Sequence, residues 1–377
     1  MREYFEALED QLLAPYSVKS ISSFGRLFDE PSSLTRTCFQ RDRDRIVHSK
    51  SFRRLKDKTQ VFISSVSDHY RSRLTHTIEV AQISRHLARL LRLNEDLAEC
   101  IAFAHDLGHS PFGHSGEEKL NDLLKHCGGF EHNLHSLRLI EEIEQKYPHF
   151  SGLNLSFEVK EGLKKHETPW DSPNQPHAYV TLEAQVANLA DEIAYNNHDI
   201  DDGLSSGLLD IDDLIKHVDL FKKANKAILS EYSNLQYHER THLINSHIIS
   251  QQVLNVYETS SSQLLKSDIR SLRDLQGTTK PLISFNKSFA KENSQLRHYL
   301  YQNFYQNPSI INLNNYGKDT IESIFSFLLL KPEYIPPSFL ELHENKGYSR
   351  DLVVGYFIAG MTDNYASRFS QIHRLIS

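Results

Sequence analysis

Residues 105–117 carry more ionisable side chains than a packed core can accommodate. Their sequence is His-Asp-Leu-Gly-His-Ser-Pro-Phe-Gly-His-Ser-Gly-Glu, and each charged or basic group in it is costly to bury without a partner. The adjacent His105 and Asp106 offer a nitrogen and an oxygen ligand to one metal ion. Acid–base groups follow directly in the chain: His109, His114 and Glu117. The stretch therefore predicts a metal-dependent phosphohydrolase.

Two more distant residues, His76 and Asp191, complete a predicted metal site. His76 stands at the start of one predicted helix, and Asp191 lies in an otherwise apolar helical segment, where an unpaired carboxylate is expensive. Together with His105 and Asp106 they supply two imidazoles and two carboxylates. This set suits Mn²⁺ or Mg²⁺ first, and also Fe²⁺, Co²⁺ or Ni²⁺. Such a site can acidify water and neutralise phosphate charge.

The spacing of neighbouring residues predicts how a phosphorylated substrate would be held. Arg73 precedes His76 by three residues, so both side chains share a helical face, and a guanidinium binds phosphate oxygens in bidentate fashion. Asp191, Tyr195 and Asp199 are four residues apart and form one helical stripe. If Asp191 binds the metal, Tyr195 and Asp199 extend towards a nucleotide and its sugar. Core packing explains Tyr195 equally well.

Helical periodicity dominates the chain and predicts an all-α fold. The helices are expected at 75–93, 95–107, 132–146, 157–166, 181–198 and 209–230. The first should bury one apolar face, formed by Ile78, Ile83, Leu87, Leu90 and Leu91. The second should continue through His105 to Pro111 and place His109 one turn beyond His105.

Segments rich in Pro, or in Asn and Tyr, are predicted loops: 168–177, 303–318 and 331–349. None is long or biased enough for an interdomain linker. We therefore expect one unit over residues 1–377, with a core at about 60–205 and a helical C-terminal region at about 206–377.

Composition excludes several classes of protein. With 39% hydrophobic and 24% charged residues the chain suits a folded globular protein, and its net charge of −7 gives no global attraction to nucleic acid or anionic membranes. Its apolar runs are shorter than the roughly 20 residues that span a bilayer. Three cysteines without a CxxC pair and an acidic N-terminus unlike a signal peptide predict a cytoplasmic protein with reduced thiols.

The order His…His-Asp…Asp on helices resembles the HD superfamily of metal-dependent phosphohydrolases. More narrowly, the chain is similar to the bacterial deoxyguanosinetriphosphate triphosphohydrolase-like proteins. The matching blocks run in order over nearly the whole chain: 41–48, 51–62, 73–77, 105–117, 130–133, 191–195 and 358–363. At the last block the family pattern has an aspartate where this chain has Tyr356, and an arginine where it has Asn364.

The resemblance implies a function and a role for each matched residue. It implies hydrolysis of deoxynucleoside triphosphates (dNTPs), dGTP or several, to a deoxynucleoside and tripolyphosphate. Tyr195 and Asp199 would line the deoxyribose pocket, with Gln60 near the 3′-OH. The His114–Glu117 pair would be catalytic, His132 would be an additional acid–base or phosphate-contacting group, and His109 would face the triphosphate. A homo-oligomer, tetrameric or hexameric, and a dNTP effector are also implied.

A basic stretch between Arg41 and Lys58 has two interpretations. It holds eight Lys or Arg against three Asp. It could bind triphosphate, a nucleotide effector or single-stranded nucleic acid, or it could be a solvated, salt-bridged helix.

The sequence is compatible with two rival functions. An HD phosphodiesterase or monophosphate nucleotidase would share the four metal ligands, but not the additional His and Glu groups or the Tyr195–Asp199 stripe. A nucleic-acid-binding regulatory protein would keep the metal only for structure and would need no acid–base residues.

Overall fold

Helices form the whole scaffold of the described chain. The computed structural model describes residues 1–61, 71–164, 181–275, 278 and 280–375, and within these ranges it contains no β-strand. The all-α prediction is confirmed. The α-helices are α1 Arg2–Leu12, α2 Cys38–Val47, α3 Lys50–Arg54, α4 Arg73–Leu90, α5 Glu95–Ala104, α6 Gly113–Leu123, α7 His132–Arg138, α8 Phe157–Lys164, α9 Leu182–Ser205, α10 Ile211–His217, α11 Asp219–Glu231, α12 Tyr237–Lys266, α13 Lys287–Leu300, α14 Pro308–Leu330, α15 Pro337–Lys346, α16 Arg350–Ala359 and α17 Asp363–Ile372.

Three packed helices, α4, α5 and α9, carry most of the candidate site. Their shared core pairs branched side chains with alanines, which lets the helix axes approach closely: Val80, Ile83, Leu87, Ala98, Ala102, Val186, Ala190 and Ile193. Fully burying each larger side chain stabilises the fold by about 1.5–3 kcal/mol. Helix α12 covers this core with Val253 and Val256. The polar site residues are therefore held on a rigid apolar base.

Side-chain caps decide where these three helices begin. Ser72 accepts a hydrogen bond from the backbone N–H of Thr75 at the start of α4, and Asn94 accepts one from Leu97 at the start of α5. Thr181 caps α9 in the same way. Such caps satisfy donors that a helix N-terminus leaves unpaired.

The first two predicted helices differ from the structure in detail. Helix α5 ends at Ala104 rather than residue 107, so His105 and Asp106 lie in the turn that follows it, and His109 is not on that helix. On α4, Ile78 and Leu90 are 49% and 36% exposed, so their predicted burial is wrong. The first turns of α4 instead bury Arg73, His76 and Thr77.

Two predicted loops in the C-terminal half are helical instead. Helix α14 starts within 303–318, because Asn307 caps it, Pro308 occupies its first turn, and Ile310, Ile321 and Ile324 give it a buried face. Helix α15 occupies much of 331–349. The predicted helix at 209–230 divides into α10 and α11 at Val218. The predicted loop 168–177 lies outside the described residues.

Two smaller features complete the description. No helix in the described ranges has both the length and the apolar character that crossing a membrane requires. Cys38, Cys100 and Cys127 are all free thiols.

Candidate metal centre and its surroundings

The four predicted metal ligands meet at one point, although they come from three separate parts of the chain. Ligand atoms of His76, His105 and Asp106 all lie within 4.8 Å of one another. One carboxylate oxygen of Asp191, Oδ1, lies 3.0 Å from His76 Nε2 and 3.6 Å from His105 Nε2. Helix α4, the turn after α5 and helix α9 thus each contribute to the cluster.

The chemistry of this cluster fits a divalent cation. His76 and His105 are 2% exposed and Asp106 is 3% exposed, and carboxylates so deeply buried require a compensating positive charge. Burial alone would raise the pKa of Asp106, but Arg73 and the neighbouring imidazoles hold it well below its usual range. Two nitrogen and two oxygen donors are consistent with Mn²⁺, Mg²⁺, Fe²⁺, Co²⁺ or Ni²⁺.

Arg73 lies beside this cluster with unused hydrogen-bonding capacity. Its Nη1 donates to Asp106 Oδ2 at 2.9 Å. Its Nε and Nη2 are buried and have no hydrogen-bond partner among the residues that the structure describes. A guanidinium that is anchored at one nitrogen and free at two others is prepared to bind a phosphate group.

Three histidines form a second cluster next to the metal centre. The rings of His109 and His132 stack with centroids 4.3 Å apart, and the ring of His114 lies 5.2 Å from that of His109. His109 is 1% exposed, and burial lowers its pKa well below the ordinary value, so its imidazole is neutral. The side chain of His114 is 63% exposed. His109 and His114, which are close together in the chain, thus form one cluster with the more distant His132.

Glu117 makes its closest contacts with His132 rather than with the predicted partner, His114. Its Oε1 accepts from the backbone N–H of His132 and lies 2.8 Å from His132 Nδ1, whereas its Oε2 is 3.6 Å from His114 Nδ1. Burial would lower the pKa of His132, but the Glu117 carboxylate overcomes this effect and raises it to about 9. His132 is therefore a cation oriented through Nδ1, which leaves Nε2 available to the site.

Replacing Glu117 by glutamine should destabilise the protein in a pH-dependent way. The raised pKa of His132 stabilises the fold fully below the ordinary histidine pKa of about 6.5, and this contribution is lost as the pH rises through about 9. We expect a loss of about 1.5–3 kcal/mol in the free energy of unfolding at pH near 6, and almost none at pH near 10. Urea titrations of both proteins at several pH values measure this difference in the free energy of unfolding.

The control for this experiment is Glu118→Gln. Glu118 is 63% exposed and pairs with Lys318 at the surface, where such a pair contributes about 0–1 kcal/mol. A stability difference between wild type and Glu117→Gln that stays constant from pH 6 to 10 would contradict the assigned pair.

The residues predicted for the nucleoside lie beside the histidines. Gln60 is buried, and its side-chain oxygen Oε1 has no partner within the described ranges. The ring of Tyr195 lies 6.4 Å from that of His114. Burial raises the pKa of Asp199 well above its usual range, with a further contribution from Asp202. Two of these polar residues, Tyr195 and Asp199, lie on α9 together with Asp191.

Sequence reasoning missed Tyr305, which joins this group from the C-terminal half. Its hydroxyl lies 3.0 Å from that of Tyr195 and also contacts the carboxyl group of Asp199. Tyr305 ends a π-helical turn, Tyr301–Tyr305, in a segment predicted to be a loop. An Asn- and Tyr-rich segment carries no signal for such a contact, because its partners are more than 100 residues away.

Asp363 anchors the turn between the metal ligands and the histidines. Its carboxylate accepts from the backbone N–H groups of Thr59 and Phe112, at 2.8 and 2.9 Å, and from the Thr59 hydroxyl. Phe112 needs this support because it has a φ of 61°, in the left-handed region that side chains disfavour. Gly113 follows with a φ of 59°. Asp363, which ends the C-terminal block 358–363, therefore supports the shape of the site without being one of the predicted site residues.

Much of the predicted basic stretch is engaged in internal ion pairs. Arg41 and Arg45 both contact Glu30, and Arg43 contacts Asp96 and Glu99. For this part of the stretch the salt-bridged interpretation applies. The exposed cations are Lys50, Arg53 and Lys56.

The two departures from the family pattern lie apart from the metal ligands. Tyr356 is 2% exposed, its ring stacks on His135, and Arg138 lies 5.0 Å from its ring centroid. Asn364 is exposed in the first turn of α17.

Comparison with known proteins agrees with this arrangement. The HD domain family matches residues 73–196, and the Phosphohydrolase-associated domain matches residues 283–372. Proteins named "Deoxyguanosinetriphosphate triphosphohydrolase-like protein" are similar over almost their full length. The relative from Geobacter metallireducens is 42% identical over 94% of this chain and 93% of its own. The one from Geobacter sulfurreducens is 40% identical, covering 97% and 95%, and the one from Brucella anthropi is 42% identical, covering 94% of each.

The match between sequence and site supports one assignment. The HD family model spans α4, α5, the turn after α5 and most of α9, and this segment contains the four clustered residues. The second matched segment supplies Asp363 and its contacts to that site. The family predicted from the sequence motifs is therefore confirmed. The chain belongs to the deoxyguanosinetriphosphate triphosphohydrolase-like proteins, a family of HD-domain hydrolases.

Proposed function

We propose that this protein hydrolyses dNTPs, dGTP or several of them, to a deoxynucleoside and tripolyphosphate. The observation that carries the proposal is the unused Nε and Nη2 of Arg73 beside a four-residue metal cluster. Arg73 would then form a phosphate subsite beside the metal ion, and the polar group at Tyr195 and Asp199 would form the sugar subsite. Such a set of subsites suits a nucleoside 5′-phosphate.

The first part of the reaction is binding and orientation of the triphosphate. His76, His105, Asp106 and Asp191 would hold a divalent ion, which supplies a Lewis acid and an activated water when bound. Arg73 donates to oxygens of the α-phosphate and neutralises their charge. The neutral His109 would donate one hydrogen bond to the triphosphate.

The second part is transfer of a proton to the leaving group. The attacking water loses a proton as its oxygen bonds to the α-phosphorus. The bond from phosphorus to the 5′-oxygen breaks, and the 5′-oxygen gains a proton, so that no net proton is consumed in these two transfers. His132 is charged, and its Nε2 is directed away from Glu117. The positive charge of His132 can therefore remain in the pocket while the proton is transferred. His114 either gives the proton to the 5′-oxygen or positions the water, as the sequence predicts.

The sugar subsite would use the group formed by Gln60, Tyr195, Asp199 and Tyr305. Because burial raises the pKa of Asp199, its carboxyl group can be neutral and can exchange hydrogen bonds with a sugar hydroxyl. Tyr305 holds both Tyr195 and Asp199. We infer that this packed group leaves no room for a 2′-OH and that Gln60 meets the 3′-OH.

The product pattern tests this function directly. We expect pure protein with Mn²⁺ and each dNTP to release a deoxynucleoside and tripolyphosphate in equal amounts, with ribonucleotides turned over far more slowly. Anion-exchange chromatography separates the products. Release of a deoxynucleoside monophosphate and pyrophosphate would instead support a different hydrolase, and cleavage of cyclic or monophosphate substrates alone would support the phosphodiesterase or nucleotidase alternative. Nucleic acid binding without turnover would support the regulatory alternative.

The remaining predictions from the family concern organisation and partners. We propose one functional unit over the chain, because residues from both matched segments contact each other through Asp363 and Phe112. We also propose a homo-oligomer, a tetramer or hexamer, and a dNTP effector. The exposed Lys50, Arg53 and Lys56 are the cations of the basic stretch that remain available to effector phosphates or to single-stranded nucleic acid.

A further inference from the structure

A chain of side-chain contacts leads away from the metal centre through His76. This imidazole directs Nε2 towards Asp191 at 3.0 Å, and its Nδ1 lies 3.0 Å from Nδ1 of His198. The other nitrogen of His198, Nε2, contacts the carboxylate of Glu79. Neither His198 nor Glu79 belongs to the predicted site.

The Glu79 carboxylate constrains where the protons of the two imidazoles lie. A carboxylate only accepts hydrogen bonds, so the hydrogen of a neutral His198 is on Nε2 and its Nδ1 offers a lone pair. His76 must then donate from Nδ1, which leaves the lone pair of its Nε2 facing the metal centre. That is the tautomer a metal-ligating histidine requires.

We propose that Glu79 and His198 are positioning residues that hold His76 in the tautomer and ring orientation needed to bind the metal. The inference rests on the proposed function, because it assigns a support to one ligand of the proposed metal site. Neither residue contacts the reacting atoms.

The position of the pair suits this role. Glu79 follows His76 by three residues on α4, and His198 follows Asp191 by seven on α9, so each helix supplies one metal ligand and one member of the pair. His198 is 2% exposed, whereas the side chain of Glu79 is 41% exposed. The contacts therefore run from the buried centre to the surface.

Arg71 fixes the outer end of this chain of contacts. Its Nε lies 3.5 Å from Glu79 Oε1, and its Nη1 donates to Asp201 and Asp202 at 2.7 and 3.1 Å. Because Arg71 precedes α4 and both aspartates lie on α9, it holds Glu79 at a fixed distance from His198. An exposed glutamate without such a contact would not be kept in one rotamer.

Mn²⁺ affinity is the measurement that tests the pair. Isothermal titration of the full-length protein with Mn²⁺ should give about 10- to 100-fold weaker binding for His198→Ala, and weaker binding for Glu79→Gln as well. Adding Glu79→Gln to His198→Ala should weaken binding no further, because the carboxylate acts only through the imidazole. His86→Ala, an exposed histidine on the same helix, should bind as the wild type does.

The outcomes separate this inference from the proposed function. Glu79→Gln replaces a partly exposed side chain and is expected to fold even if His198→Ala does not. Binding by Glu79→Gln within twofold of wild type, or additive effects in the double variant, would overturn the positioning role while leaving the hydrolase intact. A wild-type protein that binds no Mn²⁺ and hydrolyses no dNTP would overturn the proposed function as well.

Discussion

Replacing His105 by alanine should abolish Mn²⁺ binding and dNTP hydrolysis together. His105 Nε2 lies 3.5 Å from Asp106 Oδ1 and 3.6 Å from Asp191 Oδ1, so its loss removes the nitrogen ligand that lies next to both carboxylates. A bound metal ion contributes several kcal/mol of charge stabilisation, and each 1.4 kcal/mol or so corresponds to tenfold in rate. We therefore expect turnover to fall by about 1,000-fold or more. Titration with Mn²⁺ and product chromatography measure the two effects.

His126→Ala is the matched control for this variant. His126 follows His105 by 21 residues in the chain, but its side chain is 60% exposed and pairs with Asp351 at the surface. It should retain wild-type metal binding and turnover. If His105→Ala kept a tenth or more of the wild-type rate, the metal cluster would not be the reacting centre. Circular dichroism checks that both variants remain helical.

Replacing Asp363 by alanine should both destabilise the protein and inactivate it. Asp363 is fully buried, and its removal leaves the N–H groups of Thr59 and Phe112 and the Thr59 hydroxyl without their acceptor. Each unsatisfied buried group costs about 1–3 kcal/mol, so we expect a loss of about 3 kcal/mol or more in the free energy of unfolding. Turnover should fall as well, because Phe112 would no longer hold the turn that leads to His114.

The control for this prediction is Asp351→Ala. Asp351 lies 12 residues earlier in the chain and makes a surface pair with His126, for which about 0–1 kcal/mol is expected. Urea titration and steady-state kinetics on the two variants give the comparison. Wild-type stability in Asp363→Ala would show that the turn is held by other contacts.

These two predictions locate function in both halves of the chain. The proposed metal ligands come from the segment that matches the HD domain, whereas Asp363 comes from the segment that matches the Phosphohydrolase-associated domain. Tyr305 also lies in that second segment and contacts Tyr195 and Asp199. The C-terminal helices therefore complete the site rather than merely cover it.

The part of the site that could be predicted from sequence depends on residue type and short spacing. His105 and Asp106 are adjacent, Arg73 and His76 share one helical face, and Asp191 is a carboxylate in an apolar helix. These local relations survive any packing of the helices, and the structure brings the four ligands and Arg73 together. The all-α fold followed from apolar periodicity for the same reason.

Tertiary structure decided the contacts between residues that are far apart in sequence. Glu117 is three residues from His114, yet the fold brings it to His132 at the start of α7. In the sequence, Arg41 and Arg45 resemble a phosphate-binding patch. In the fold, both form ion pairs with Glu30. Helix α14, which follows Tyr305 in the chain, depends on a capped N-terminus and on a face that is buried by the rest of the fold.

The sequence by itself thus determined the family, the helical fold and the set of residues available for metal and phosphate chemistry, since each depends on residue identity and helical period. Only the tertiary structure decided how those residues are paired. It paired Glu117 with His132 and brought Asp363 to the turn at Phe112. It also placed His198 against His76, and Glu79 against His198. Hydrogen bonds and ion pairs are short-range, so their partners are fixed by the packing of helices that are distant in the chain.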